Sequence, residues 1–121
     1  MRFRIILAIF IILGLSVFTC ACANEAAIQY RIVPGTDGNY AIITGGDASE
    51  DLVIPGKIDG IPVREIDRSA FSGTLSLKTL TIGQGVRSIG MNAFEGCPNL
   101  AEVILPGSLT FVEKDAFRDC G

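Results

Sequence analysis

The chain contains no histidine and no tryptophan, and two tyrosines among its 121 residues. Without histidine it lacks the commonest general base, the commonest metal ligand and every Ser-His or Cys-His nucleophile pair. Carboxylate pairs are left, but Glu50-Asp51 and Glu65-Asp67 stand in turn-like or strand-edge sequence with no apolar pocket to tune them, and they read as solvated groups. "TDGN", Thr36 to Asn39, lacks the spaced acidic ligands and distal Glu of a calcium loop and reads as a turn. No Gly-rich phosphate fingerprint follows a strand and opens a helix. The expectation is a non-enzymatic chain with no catalytic residue, no metal and no cofactor.

Clusters of positive charge are also missing. No run of Lys and Arg is interleaved with aromatics, and the formal net charge is −3. Such a surface disfavours a phosphate backbone, so nucleic acid is not an expected partner. Hydrophobic residues make up 49% and charged residues 19%, which argues against disorder and for a single small domain.

Part of that hydrophobicity is local. Arg2 and Arg4 precede the apolar run Ile5 to Phe18, which is followed by Ala21-Cys22-Ala23. A basic start, a short apolar core and an A-x-A end describe a secretory signal peptide, and the run is short of the roughly 20 residues of a membrane span. We therefore read 1–23 as a leader released after Ala23, and the protein as exported, secreted or held at the cell surface. Lipid attachment through Cys20 or Cys22 is the alternative, although "VFTC" and "ACA" depart from the usual lipobox. Removing Arg2 and Arg4 leaves 8 basic against 13 acidic residues, a charge of −5.

A fixed spacing organises the rest. Ala-Phe recurs at Ala70-Phe71, Ala93-Phe94 and Ala116-Phe117, each time 23 residues on. The same offset aligns Val63, Val86 and Leu109, and then Ile66, Ile89 and Val112. "LKTLTI", Leu77 to Ile82, and "LAEVIL", Leu100 to Leu105, follow the L-x-x-L-x-L spacing of a leucine-rich repeat strand, and "DLVIPG" supplies the first copy. That first copy is longer by five residues, which fall in "KIDGIP" around the turn signal Asp59-Gly60.

A coil this short cannot bury its apolar face alone and must stack on its neighbours. The predicted fold is a mostly β leucine-rich repeat solenoid of short parallel strands and short helical or 3-10 turns, with Phe71, Phe94 and Phe117 as an internal column. "IQYRIV" and "NYAIIT" flank "PGTDG" and predict an N-terminal β-hairpin cap within 24–51. Residues 52–121 then hold three repeats, the last incomplete, and the uncapped edge of the third coil is expected either to self-associate or to belong to a fragment of a longer repeat array with no ligand of its own.

"VRSIGMNAFEGCPNL", Val86 to Leu100, and "LVIPGKIDGIPVREIDRSAF" resemble the BspA-like leucine-rich repeat proteins of bacterial surfaces over about residues 28–121. Thr74 and Glu113 depart from that family's Cys and Gly. The resemblance implies exported or surface-displayed proteins used in adhesion and protein binding, some of them on host extracellular-matrix proteins, with no catalytic residue to carry over.

Two local expectations remain. Cys97 and Cys120 lie one period apart, so stacking brings them near disulfide range; the alternative is a pair of small buried hydrophobes. The outward residues of the repeat strands, Asp51, Val53, Thr79, Thr81, Glu102 and Ile104, form the candidate concave binding face for a protein ligand.

Overall fold

The computed structural model describes residues 27–121, together with the backbone of two strands, β1 (Phe10–Ile12) and β2 (Leu15–Cys20). The basic pair Arg2 and Arg4, the Ala23 boundary and Cys22 lie outside the described residues. The chain continues through β3 (Ile28–Val33), β4 (Tyr40–Gly46), β5 (Asp51–Ile54), β6 (Lys57–Ile58), β7 (Ile61–Ile66), β8 (Thr79–Ile82), β9 (Ser88–Ile89), β10 (Glu102–Ile104) and β11 (Phe111–Val112). Among the described residues there is no helix.

Each coil has three sides. The first is a strand of the parallel sheet β5-β8-β10, in register Leu52↔Leu80↔Val103. The second is a strand of another parallel ladder, β4-β7-β9-β11, which places Ile43, Ile66, Ile89 and Val112 in one inward row. Asp67, Gly90 and Glu113 donate their N–H groups to the carbonyls of Ile43, Ile66 and Ile89, so one bond recurs coil after coil. The third side is the Ala-Phe turn.

Those turns depart from the helical expectation. Ser69, Asn92 and Asp115 take φ of 54°, 58° and 58°, and four residues further on Gly73, Gly96 and Asp119 take 73°, 70° and 54°. Two left-handed residues per turn cannot propagate a helix. Alternate N–H groups instead reach into the next coil: Ser69, Phe71 and Gly73 donate to Met91, Ala93 and Glu95, and Asn92, Phe94 and Gly96 to Lys114, Ala116 and Arg118. The N–H groups between them close local turns, as Ala93 does on Gly90 and Glu95 on Asn92. Phe71, Phe94 and Phe117 stack behind this ladder, with centroids 5.5 and 5.4 Å apart and rings within 8° of parallel.

β3 and β4 pair as an antiparallel hairpin, closed at Gly35 and Gly38, and β2 continues the sheet beyond β3 with Cys20 opposite Ile28. β4 has a second part: it runs parallel to β7 and serves as the first rung of the second sheet. The five-residue extension of the first coil folds as a two-residue hairpin between β6 and β7. Asp59 (φ 50°) and Gly60 (φ 79°) form the turn, both in the left-handed region that such hairpins require. Among the described residues no charged or polar side chain is buried.

Candidate protein-binding face

Alternation along the parallel strands buries Leu52, Ile54, Leu80 and Ile82 and turns their neighbours outward. Strand pairing then sets the outward residues in two columns. Asp51, Thr79 and Glu102 form one; Val53, Thr81 and Ile104 form the other. The six residues predicted from sequence therefore do share one face.

The columns differ in chemistry. In the polar one, the Thr79 hydroxyl donates to Asp51 Oδ1 at 2.6 Å, and Lys78 Nζ lies 2.8 Å from Glu50 Oε2 just before the strands. In the apolar one, Val53 is 59% exposed and Ile104 51% exposed, with the half-buried Thr81 between them. Large apolar groups held in water on a rigid sheet, beside acceptors fixed by a neighbouring strand, suit docking of another polypeptide surface.

Both carboxylate pairs meet basic side chains. Glu50 faces Lys78, and Asp67 accepts from Arg31 at 3.3 Å and from the Arg68 N–H at 2.8 Å. The Glu65 carboxyl is pushed above its ordinary range, first by burial and then by the negative charge of Asp67. Among the described residues no cluster of three or more His, Cys, Asp or Glu could hold a metal ion, and no helix is long and apolar enough to cross a membrane.

Cys97 and Cys120 are both free thiols in the structure. Cys97 is buried and donates to the Phe71 carbonyl at 3.5 Å, and Cys120 donates to the Phe94 carbonyl at 3.2 Å. Thr74, where the first coil departs from cysteine, donates to that same Phe71 carbonyl at 2.7 Å. The two thiols thus tie the end of their own turn to the phenylalanine backbone of the preceding coil, whereas Thr74 closes on the phenylalanine of its own turn. Burial holds the Cys97 thiol above its usual range.

Stacked coils with an L-x-x-L-x-L strand and an exposed parallel-strand face define a leucine-rich repeat solenoid. The family model "BspA type Leucine rich repeat region (6 copies)" matches residues 54–121. The chain belongs to that family, a repeat class built for protein interaction. It is similar to a solved leucine-rich repeat protein of T. pallidum, with 35% identity and a TM-score of 0.68 over 74% of this chain and 42% of that one. A leucine-rich repeat protein from Bacteroides capillosus shares the fold at 23% identity and TM-score 0.56, covering 76% of this chain and 88% of the other. So does a leucine rich cell surface protein from Faecalibacterium prausnitzii, at 22% and 0.58, covering 77% and 28%. The chain thus spans less than half the length of the T. pallidum protein. No curated protein matches it.

Proposed function

We propose that this protein is an exported, non-enzymatic adhesion module that binds another protein through the outer face of β5, β8 and β10. The observation that carries the reading is the in-register apolar column Val53-Thr81-Ile104 beside the polar column Asp51-Thr79-Glu102. Export is supported by the basic-apolar leader pattern of 1–23 and by the description of the F. prausnitzii neighbour as a cell surface protein. Lipid attachment through Cys20 or Cys22 would hold the module at the surface; release after Ala23 would free it. The family resemblance makes host extracellular-matrix proteins the first ligands to try.

The test is binding of the full chain to immobilised extracellular-matrix and bacterial coat proteins, beside a variant with all six face positions changed. Saturable binding that the variant loses, with its fold retained, supports the reading. Saturable binding that survives the six changes removes this face as the binding site.

A further inference from the structure

The N-terminal hairpin covers two of the first coil's three sides. β4 pairs with β7 along the second side, and its end overlies the turn, where a Cβ on Gly45 would sit 2.9 Å from the Ala70 carbonyl oxygen. On the remaining side no strand precedes β5 among the described residues: the sheet order is β10-β8-β5, and every earlier strand belongs to the other sheet. β5 is therefore a free sheet edge at the head of the stack. No further coil can take that place, because β4 already holds the preceding rung of the other ladder.

The open groups of that edge follow from strand register. In the β5-β8 ladder the Glu50 and Ile54 carbonyls accept from the Thr79 and Gly83 N–H groups. Alternation then turns the N–H and C=O of Leu52 toward β8, and those of Asp51 and Val53 away from it. Ser49 Oγ donates to the Asp51 carbonyl at 2.9 Å, a local cover for that one group. Among the described residues neither the N–H groups of Asp51 and Val53 nor the Val53 carbonyl has a partner.

Charge and shape select what can pair there. Asp47, Glu50 and Asp51 are exposed along the edge and its approach; Lys78 neutralises Glu50, and among the described residues neither Asp47 nor Asp51 pairs with a base. Val53, on the same face as Asp51, is 59% exposed. A second copy cannot reach the edge through its own β5. β3 and β2 carry the other sheet past the first coil, and two such extensions would meet in one space. A lone extended segment brings no such extension.

We infer that the free edge of β5 receives an extended segment of a partner protein as an added strand, with Lys or Arg beside Asp51 and an apolar residue beside Val53. Main-chain bonds to Asp51 and Val53 supply the attachment, and the two side-chain positions supply the choice of segment. This goes beyond the outer-face reading, since it uses the rim of β5 and needs no contact with β8 or β10.

The experiment titrates the full chain with a short, end-blocked synthetic peptide in which Arg-Thr-Val-Thr-Arg is flanked by Thr, a pattern that reads the same in either strand direction. Saturable binding is expected, with amide exchange at Asp51 and Val53 slowed by on the order of tenfold or more. Unchanged exchange at these two residues under saturating peptide overturns the inference. N-methylation of alternate peptide amides makes the test specific to strand pairing: of the two alternate sets, one is expected to abolish binding and the other to leave it nearly unchanged. Equal effects of the two sets overturn the added strand and leave the outer-face reading untouched, because a peptide held by its side chains does not distinguish the sets. Asp51→Asn is expected to weaken binding by on the order of threefold and to flatten its salt dependence. Affinity and salt dependence equal to the parent's overturn the cationic partner.

Discussion

The second and third coils carry the same pattern of side chains and differ in having a neighbour on both sides or on one. Leu80, Ile82, Val86, Ile89, Phe94 and Cys97 are buried in the second coil, while their counterparts Val103, Leu105, Leu109, Val112, Phe117 and Cys120 are all partly or largely exposed in the third. Apolar character and position along the coil are equal, so the contrast isolates what stacking contributes. Burial in this fold comes from the next coil and not from the coil itself.

Substitution of the phenylalanine column is the strongest way to break that comparison. Phe94→Ala is expected to cost about 3–5 kcal/mol, because it opens a cavity between two stacked rings. Phe117→Ala leaves a hole open to water and is expected to cost less than about half as much. Urea unfolding midpoints at equal slope measure both, and equal losses would mean that the third coil is as closed as the second.

Coil spacing gives a smaller effect. A Cβ on Gly90 would lie 2.7 Å from the Arg68 nitrogen and 2.8 Å from the Asp67 carbonyl carbon, so Gly90→Ala is expected to cost about 1–3 kcal/mol by overpacking. Its counterpart Glu113 contributes a bond from the Met91 N–H to Oε2 at 3.1 Å, and Glu113→Ala is expected to cost below about 1.5 kcal/mol in the same unfolding assay.

The thiols sharpen the contrast without a mutation. Cys97 is buried with its thiol held in the protonated form, whereas Cys120 is half-buried. Alkylation at neutral pH followed by peptide mapping should label Cys120 on the order of tenfold faster, a difference that disappears in denaturant.

The smallest effect is a pH dependence. Folding raises the Glu65 pKa, so the folded chain keeps a proton that the unfolded chain has released. Stability from this group is therefore lost as pH rises from the ordinary carboxylate range through the raised value. Glu65→Gln removes that loss, and its melting temperature should gain on the parent at neutral pH but not in acid.

Much of the fold was legible in a single spacing. The 23-residue period and the L-x-x-L-x-L strands predict the inward rows, the phenylalanine column and the outward six residues of the face. Physical reasons account for the rest. "VRSI" reads as a connecting step, yet its two-residue strands form a full sheet, since a parallel ladder across coils needs little length within each one. β4 reads as a lid, although Ile43 already stands one period before Ile66; its hairpin pattern masks an atypical first rung. The turns read as helical from Ala-Phe, but the residue before each Ala is Ser, Asn or Asp in the left-handed region, and Asn and Asp tolerate it better than other non-glycine residues. On the face, alternation placed the side chains, but the Thr79 bond to Asp51 depends on inter-strand register, which spacing alone does not report.

Hydrogen exchange on the unmodified chain tests the stacking account most directly. Ser69, Phe71, Gly73, Asn92, Phe94 and Gly96 donate across coils and should exchange slowly, while Asp115, Phe117 and Asp119, in the same turn positions, should exchange fast. Equal protection across all nine amides, or none at the first six, would contradict it.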